Sequence, residues 1–416
     1  MIPPTLAHAV DKALLAVHSC AEHERVAERN TQRVLDAMRA ERISAAHMAG
    51  STGYGYDDIG RDAFERTLAA AFGAQTALAR PSIASGTHAI ATALYAMLEP
   101  GDTLVYATGA PYDTLADVIG HKRALPGSLA RLGVAYREIP LTADDAIDLV
   151  ALEAQLIAEP SIRLVALQRS RGYAWRSALS VTQLAAAAAL VRRVRPKAAV
   201  LVDNCYGEFV EDAEPCGVGA HLAAGSLIKN PGGGIAPTGG YIVGEAEAVA
   251  RCAARLYAPG IGGEVGSYEG GYRSFYQGLF MAPHTVLQAL KTAVFASALF
   301  SELGFEVSPL PNAFRGDIIT AIRLGSREAL CGFCAAIQAA SPVDGHVVPE
   351  AWRMPGYEND VIMAAGTFVQ GASIELSADG PMVPPYIVYL QGGLTWEHGK
   401  LALIQAAESV LRTREG

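Results

Sequence analysis

Short apolar runs alternate with helical segments between residues 76 and 245. The runs with the length and composition of buried strands are 103–107, 163–168, 199–203 and 240–244. A helical pattern, V-T-Q-L-A-A-A-A-A-L-V-R-R-V at 181–194, separates the second run from the third. Strands joined by crossover helices predict a parallel sheet covered on both faces, with ligands bound at the carboxyl ends of its strands.

The pattern changes on both sides of this region. Residues 5–45 have a helical period and mixed charge, which predicts helical structure packed over the body or over a neighbouring subunit. A long alanine-rich helix is predicted at 284–303, and the apolar runs after it predict a smaller α+β domain. We therefore predict an N-terminal helical segment, a large domain and a small C-terminal domain, which cover residues 1–45, 46–285 and 286–416.

Composition and charge narrow the class of protein. Of the 416 residues 51% are apolar, yet no apolar run reaches the roughly 20 residues that a membrane helix needs. The net charge of −9, without basic blocks, argues against nucleic acid and anionic membranes as partners. The N-terminus lacks the basic and then apolar order of a signal peptide, so we expect a soluble, cytoplasmic protein.

The six cysteines are scattered along the chain and form no recognisable metal site. Cys331 and Cys334 spell C-x-x-C, but the second pair that a zinc site needs is missing. We interpret both as small apolar residues of an alanine-rich helix, in a compartment that keeps thiols reduced, and we expect no bound metal.

Three polar features stand at candidate strand ends and are the candidates for chemistry. Ser85, Gly86 and Thr87 precede a helix, where free N–H groups and hydroxyls bind phosphate, although ordinary helix capping would explain them too. Asp203 ends the third apolar run, where a carboxylate needs a cation or a donor unless it is a turn residue. Lys229 stands in G-S-L-I-K-N-P-G-G-G, whose small side chains predict poor solvation, a lowered pKa and a nucleophilic amine.

The order of these features matches the needs of pyridoxal phosphate. This cofactor takes a lysine at its aldehyde, an acidic side chain at its pyridine nitrogen and a helix N-terminus at its phosphate. Lys229, Asp203 and the 85–87 segment supply these groups within one chain. The combination indicates this cofactor more strongly than any one of the three features alone.

The chain also resembles the fold-type-I pyridoxal-phosphate enzymes of cysteine and methionine metabolism. It is most similar to the branch known as the methionine γ-lyase family or aluminium-resistance proteins. The segments that carry the resemblance span nearly the whole chain and are G-S-T-G-Y-G-Y-D-D-I-G-R-D, S-G-T-H-A-I, P-Y-D-T-L, L-Q-R-S-R-G-Y, V-D-N-C-Y-G-E-F, G-S-L-I-K-N-P-G-G-G-I-A-P-T-G-G-Y and G-T-F-V-Q-G-A-S-I-E-L-S-A-D-G-P. The resemblance implies an α/β fold of the fold-type-I transferase-like class, with a mostly parallel sheet in the large domain and a small α+β C-terminal domain.

The resemblance also implies roles for residues around the cofactor. Lys229 is expected to bind the cofactor covalently and then to move a proton between substrate carbons, while Asp203 pairs with the pyridine nitrogen. Tyr112 is expected to stack on the cofactor ring and to act as an acid or base. The other expected cofactor-binding residues are Ser85, Gly86, Thr87, Ser226, Tyr54 and Gln168.

The sequence departs from the relatives it resembles at the phosphate and at the substrate carboxylate. Relatives in the cystathionine branch have a phosphate-binding arginine where this chain has Tyr56, and an arginine for the substrate carboxylate in the stretch that reads P-Y-I-V-Y-L-Q-G-G here. The aluminium-resistance branch usually has a basic residue in the stretch that reads G-P-M-V-P-P-Y here, with Val383. We therefore expect either another arginine at the substrate carboxylate or an unusual substrate. The candidates for contact with the substrate are Arg171, Tyr56, Arg315 and Arg353.

The reaction implied by the resemblance is γ-elimination from a γ-substituted amino acid, with methionine-like thioethers as the expected substrates. Two alternatives stay open, namely halide elimination from an unsaturated amino acid to a terminal alkyne, and γ-replacement. An aminotransferase and a metal-tolerance protein without turnover are further alternatives. Because Tyr54 is expected to reach the phosphate of a neighbouring subunit, we expect a homodimer or homotetramer with shared active sites.

Overall fold

The computed structural model describes residues 4–354 and 356–415. Its larger sheet consists of β1 (Thr76–Arg80), β2 (Thr103–Tyr106), β3 (Ala135–Glu138), β4 (Ile162–Gln168), β5 (Ala199–Asp203), β6 (Leu222–Ser226) and β7 (Gly240–Gly244). Its smaller sheet consists of β8 (Glu306–Ser308), β9 (Thr320–Arg323), β10 (Val361–Ala364), β11 (Ser377–Pro381) and β12 (Ile387–Gln391). The helices are α1 (Pro4–His18), α2 (Ala21–Ala40), α3 (Ile59–Ala71), α4 (Gly86–Met97), α5 (Asp113–Ile119), α6 (Leu149–Ala158), α7 (Val181–Val194), α8 (Ala246–Leu256), α9 (Arg273–Glu302), α10 (Arg327–Ala339) and α11 (Trp396–Glu415).

The larger sheet is mostly parallel, which confirms the fold class. Its strand order is β1-β7-β6-β5-β4-β2-β3, and the neighbours from β6 to β3 are all parallel. Strand β7 runs antiparallel to both β6 and β1. The connection between β6 and β7, which contains Lys229, therefore stays at the edge of the sheet where the parallel strands end.

The apolar composition of the central strands follows from burial on both faces. Every residue of β5 is buried, as are all residues of β4 except Arg163. The helix predicted at 181–194 is present as α7 and begins at a capping box. In this box Ser180 Oγ accepts a hydrogen bond from the Gln183 N–H, and Gln183 Oε1 accepts one from the Ser180 N–H.

The smaller sheet is antiparallel throughout, with the order β10-β11-β12-β9-β8. Its apolar core includes Leu6 and Ala13 of α1, so the N-terminal helix packs with the small domain. Helix α9 continues through residue 285, so the predicted boundary there falls inside one helix. The division of the chain into three segments stays a prediction.

Helix α10 carries the C-x-x-C pair that the sequence places on a helix. Cys331 is partly exposed, Cys334 is buried in the small-domain core, and both are free thiols. Within the described residues, no group of histidine, cysteine and acidic side chains could hold a metal ion. None of the helices in residues 4–354 and 356–415 is long and apolar enough to cross a membrane.

Candidate active site

The carboxyl ends of β4, β5 and β6 open into a cavity of about 370 Å³ that is lined by residues of both sheets. Gln168, Asp203 and Ser226 are the last residues of these three strands, and Lys229 follows shortly after. All four side chains line the cavity. Because parallel strands end at the same edge of a sheet, the fold brings together residues that are distant in sequence.

The N-terminus of α4 forms one wall of the cavity. Ser85 caps this helix, and its Oγ accepts a hydrogen bond from the His88 N–H at 3.1 Å. Gly86 is the first helical residue, and a Cβ at this position would lie 3.1 Å from Cys205 Sγ. Thr87 follows and lines the same wall. The capping role of Ser85 is therefore compatible with the predicted phosphate site, because the helix leaves further N–H groups free where glycine allows close approach.

Asp203 is a buried carboxylate at the end of β5. It is 8% exposed, and its Oδ1 accepts a hydrogen bond from the Cys205 N–H at 3.2 Å. Burial raises the pKa of Asp203, and the nearby Lys229 amine offsets part of that rise. A buried carboxylate is stabilised by a cation or a donor, and a protonated ring nitrogen would supply both.

Lys229 is half-buried, and its Nζ lies 4.1 Å from the centre of the Tyr206 ring. Burial by itself lowers the pKa of Lys229, but acidic side chains around it outweigh burial, and the net direction is upward. These side chains belong to Cys205, Tyr206, Asp203 and Glu208. The lowered pKa predicted from the small sequence neighbours is therefore wrong, because acidic groups distant along the chain surround the amine.

Tyr112 lines the cavity immediately before α5 and is joined to a residue of the small domain. Its hydroxyl lies 2.8 Å from the hydroxyl of Tyr357, and burial raises the pKa of both phenols. The ring centre of Tyr173 lies 5.9 Å from each of the two rings. The three tyrosines therefore form one aromatic group beside the cavity, and its two hydrogen-bonded members come from different domains.

The structure places the three arginines that the sequence suggested for the substrate outside the cavity lining. The Arg171 N–H donates to Asp317 Oδ2 at 3.1 Å, and the Arg171 guanidinium lies 3.8 Å from the same carboxylate. Arg315 is buried and donates from Nη2 to Ser297 Oγ at 2.6 Å. Arg353 is exposed. The two buried guanidinium groups are already bound by other parts of the protein, which explains why they do not face the cavity.

Tyr54 and Tyr56 lie on an exposed loop that does not line the cavity of their own chain. They are 73% and 62% exposed, and their ring centres are 5.6 Å apart. The Gly266 N–H donates to the Tyr54 carbonyl at 2.9 Å, so the segment that precedes α9 is bonded to this loop through the backbone. Val383 does not line the cavity either. Contact of Tyr54 with a neighbouring subunit stays a prediction.

Comparison with known protein families shows to which family the chain belongs. The sequence profile of the methionine gamma-lyase family matches residues 5–411. The chain belongs to the methionine gamma-lyase family. Pyridoxal phosphate is the cofactor of this family.

Relatives of this family member cover almost the whole chain. The uncharacterized protein YnbB of Bacillus subtilis is 48% identical over 97% of this chain and 95% of its own length. A carbon–sulfur lyase involved in aluminum resistance from Clostridium novyi is 44% identical with a TM-score of 0.93, covering 98% of this chain and 96% of that one. A proposed cystathionine beta-lyase involved in aluminum resistance from Listeria monocytogenes is 45% identical with a TM-score of 0.94, covering 97% and 100%. A methionine gamma lyase from Micromonospora echinospora, with 19% identity, a TM-score of 0.59 and coverage of 89% and 93%, shares the fold.

The cavity of this methionine gamma-lyase family member fits the family's cofactor. The α4 wall and Ser226 can hold the phosphate, Asp203 the ring nitrogen and Lys229 the aldehyde. Gln168 is 6% exposed, and its Oε1 has no hydrogen-bond partner within the described part of the chain. A buried acceptor without a partner at a cavity wall is typical of a site that a ligand completes.

Sequence reasoning missed the side of the cavity that the small domain provides. Asp379, Gln391 and Tyr357 all line the cavity and follow Lys229 by more than 120 residues. Asp203 was recognisable because it ends an apolar run, whereas the strand of Asp379 is S-A-D-G-P and has no such run to mark it. Tyr357 lies in an irregular segment, where no periodic pattern marks it.

Proposed function

We propose that this member of the methionine gamma-lyase family is a lyase that catalyses γ-elimination from a γ-substituted amino acid. The observation that carries the proposal is the meeting of Lys229, Asp203 and the N-terminus of α4 in one cavity. The similarity to the carbon–sulfur lyase from Clostridium novyi supports a carbon–sulfur bond as the one that is cleaved. Methionine-like thioethers are the proposed substrates.

Elimination at carbon γ requires protons to move at two neighbouring carbons. Bound pyridoxal phosphate supplies an electron sink that stabilises negative charge beside the amino group. Lys229 Nζ, a neutral amine once the substrate amine has replaced it at the cofactor, would accept the proton of carbon α, give that proton up to the cofactor and then accept one from carbon β. Asp203 would keep the ring nitrogen protonated. The position of Lys229 at the cavity supports this role, since the open space leaves its side chain room to swing between the two carbons.

The departing sulfur also needs a proton. We assign this proton to Tyr112 Oη, because Tyr112 lines the cavity and its hydroxyl, whose pKa burial raises, carries a proton at neutral pH. Tyr357, with its hydroxyl 2.8 Å away, positions Tyr112. The sulfur leaves as a thiol, and hydrolysis of the four-carbon remainder gives 2-oxobutanoate and ammonia.

We place this chemistry in an oligomer, a dimer or tetramer, with active sites shared between subunits. Two observations support it: Tyr54 and Tyr56 are exposed, and among the described residues that line the cavity Lys229 is the one cation. Mixing an inactive Lys229→Ala variant with a Tyr54→Ala variant tests the sharing. If sites are shared, hybrid oligomers combine two intact halves and regain activity, whereas activity that stays at the level of the unmixed variants would refute it.

Product analysis tests the reaction itself. The holoenzyme is incubated with L-methionine, L-cystathionine, S-methyl-L-cysteine and a γ-chlorinated unsaturated amino acid, and keto acid, thiol, halide and ammonia are measured. From L-methionine and L-cystathionine we expect 2-oxobutanoate, thiol and ammonia in equal amounts, and none of them with Lys229→Ala, whereas S-methyl-L-cysteine, which has no γ carbon, should give no product. Pyruvate as the keto acid would identify β-elimination instead, keto acid without ammonia would identify an aminotransferase, and the absence of any product would refute the lyase.

A further inference from the structure

The small-domain wall of the cavity carries a carboxylate that the proposed reaction does not use. Asp379 lies on β11, between β10 and β12, and pairs in register with Met363 and Tyr389. It is 7% exposed and lines the same cavity as Lys229. Asp203 comes from the larger sheet and Asp379 from the smaller one, so the cavity has one carboxylate on each wall.

Strand geometry directs Asp379 and its polar neighbours toward the cavity. Side chains two residues apart on a strand point to the same face, so Ser377 and Asp379 share a face, while Ala378 between them packs in the small-domain core. Gln391 is the register partner of Ser377 and lines the cavity with both. The wall is therefore a short polar ladder on a sheet whose opposite face is apolar.

The hydrogen-bonding capacity of this polar ladder is only partly used. Asp379 Oδ2 accepts from Gln391 Nε2 at 3.3 Å, whereas Asp379 Oδ1 and Ser377 Oγ have no partner among the described residues. Burial raises the pKa of Asp379 to about 7, against an ordinary value of 3.8, and the Gln391 amide, the Tyr173 hydroxyl and the Lys229 amine offset only part of that rise. The buried carboxylate therefore favours a ligand that brings a further donor.

The charges of the cavity indicate what kind of donor is missing. Lys229 is the one cation among the described residues that line the cavity, and it belongs with the cofactor. Asp203 is expected at the ring nitrogen. The α-amino group of the substrate is also committed to the cofactor, so it does not satisfy Asp379. A second amino group, located beyond the bond that breaks, is the complementary group for a buried carboxylate on the opposite wall.

We infer that Asp379 selects substrates whose thiol leaving group carries its own ammonium, such as L-cystathionine, over thioethers that lack it. Asp379 is a specificity-determining residue in this assignment, and Gln391 and Ser377 orient its carboxylate and the incoming amine. The inference rests on the proposed function, since it names the substrate class of the same lyase. The γ carbon–sulfur bond breaks in both kinds of substrate, and only the thiol that leaves differs.

Binding to the holoenzyme tests the inference without turnover. Two ligands in which carbon replaces sulfur differ only in the far amine, namely 2,7-diaminooctanedioate and 2-aminooctanedioate. We expect calorimetry to give an affinity about 10- to 100-fold higher for the diamino ligand, because its far ammonium makes a hydrogen bond between charged groups with the Asp379 carboxylate. Asp379→Asn, which keeps the shape and removes the charge, abolishes the difference. Equal affinities in the wild type, or the same preference in Asp379→Asn, would overturn the inference.

Matched variants and substrates separate this inference from the proposed function. Glu375→Gln removes a buried acid whose carboxylate already accepts the Phe368 and Val369 N–H groups at 2.9 Å, so the preference should persist. In kinetics, kcat/KM for L-cystathionine should fall in Asp379→Asn by about the same factor as the affinity, while that for S-(2-carboxyethyl)homocysteine stays within about twofold. An equal fall of kcat/KM for both substrates would indicate a structural role for Asp379 and would overturn the inference that it selects the substrate. If neither substrate is cleaved by the wild type, the proposed lyase fails, and the calorimetry still decides whether Asp379 binds an amine.

Discussion

Replacing Tyr357 by phenylalanine removes the hydroxyl partner of Tyr112 and keeps the aromatic ring. In the structure the two hydroxyls are 2.8 Å apart, and both phenols line the cavity. The ring of Tyr357 also packs edge-on against Tyr112 with centres 6.1 Å apart, and phenylalanine preserves this contact. The change therefore isolates the hydrogen bond that links the small domain to the proposed acid.

The expected magnitude follows from the burial of Tyr112. A neutral hydrogen bond contributes about 0.5–1.5 kcal/mol net, and a buried hydroxyl left without a partner costs about 1–3 kcal/mol. If this free energy separates the productive orientation of Tyr112 from others, kcat falls about tenfold, since about 1.4 kcal/mol corresponds to a factor of ten. KM should change less than about twofold, because the proton is needed when sulfur departs and not when the substrate binds.

The assay is thiol release under saturating substrate, together with thermal unfolding. Tyr276→Phe is the matched control, since its hydroxyl donates to the Gly60 carbonyl at 2.8 Å and it is 2% exposed but does not line the cavity. Both variants should lower Tm by no more than a few degrees. An unchanged kcat in Tyr357→Phe, or an equal loss in Tyr276→Phe, would refute the assignment of Tyr357 as a positioning residue.

Three other changes have defined outcomes. Gly86→Ala puts a Cβ 3.1 Å from Cys205 Sγ, so the affinity for pyridoxal phosphate in an absorbance titration should fall about tenfold, and adding Cys205→Ala should restore it. Asp379 has a folded-state pKa of about 7 against 3.8, so the folded state binds its proton more tightly and stability falls as the pH rises from about 4 to 7. Asp379→Asn should remove this fall, on the order of 2–4 kcal/mol in urea unfolding, and identical pH profiles would contradict it. Ser180→Ala breaks the capping box of α7 and should cost about 1 kcal/mol without changing turnover, whereas a loss of turnover would contradict a purely structural cap.

Much of the larger domain could be predicted from the sequence because its signals are local. The runs at 163–168 and 199–203 contain enough apolar residues to mark strands that are buried on both faces, and they appear as β4 and β5. Strand β6 gave no such signal, because L-A-A-G-S has few branched or aromatic side chains. Its place in the sheet depends on its neighbours, which supply the hydrogen-bond partners on both sides.

The candidate site could likewise be predicted only where its signals are local in the sequence. The order of Ser85–Thr87, Asp203 and Lys229 was enough to indicate pyridoxal phosphate, because the carboxyl ends of parallel strands meet whatever their spacing in the sequence. The direction of the Lys229 pKa could not be predicted, because it depends on acidic groups that the fold brings around the amine.

The sequence by itself determined the family, the cofactor and the large-domain half of the cavity, since each is encoded in short contiguous segments. Only the tertiary structure decided that Arg171 and Arg315 face away and that Asp379 faces in. The physical reason is that a buried charge lies where a partner meets it. Those partners, Asp317 and Ser297 for the arginines, are set by how the small domain packs and not by neighbours along the chain.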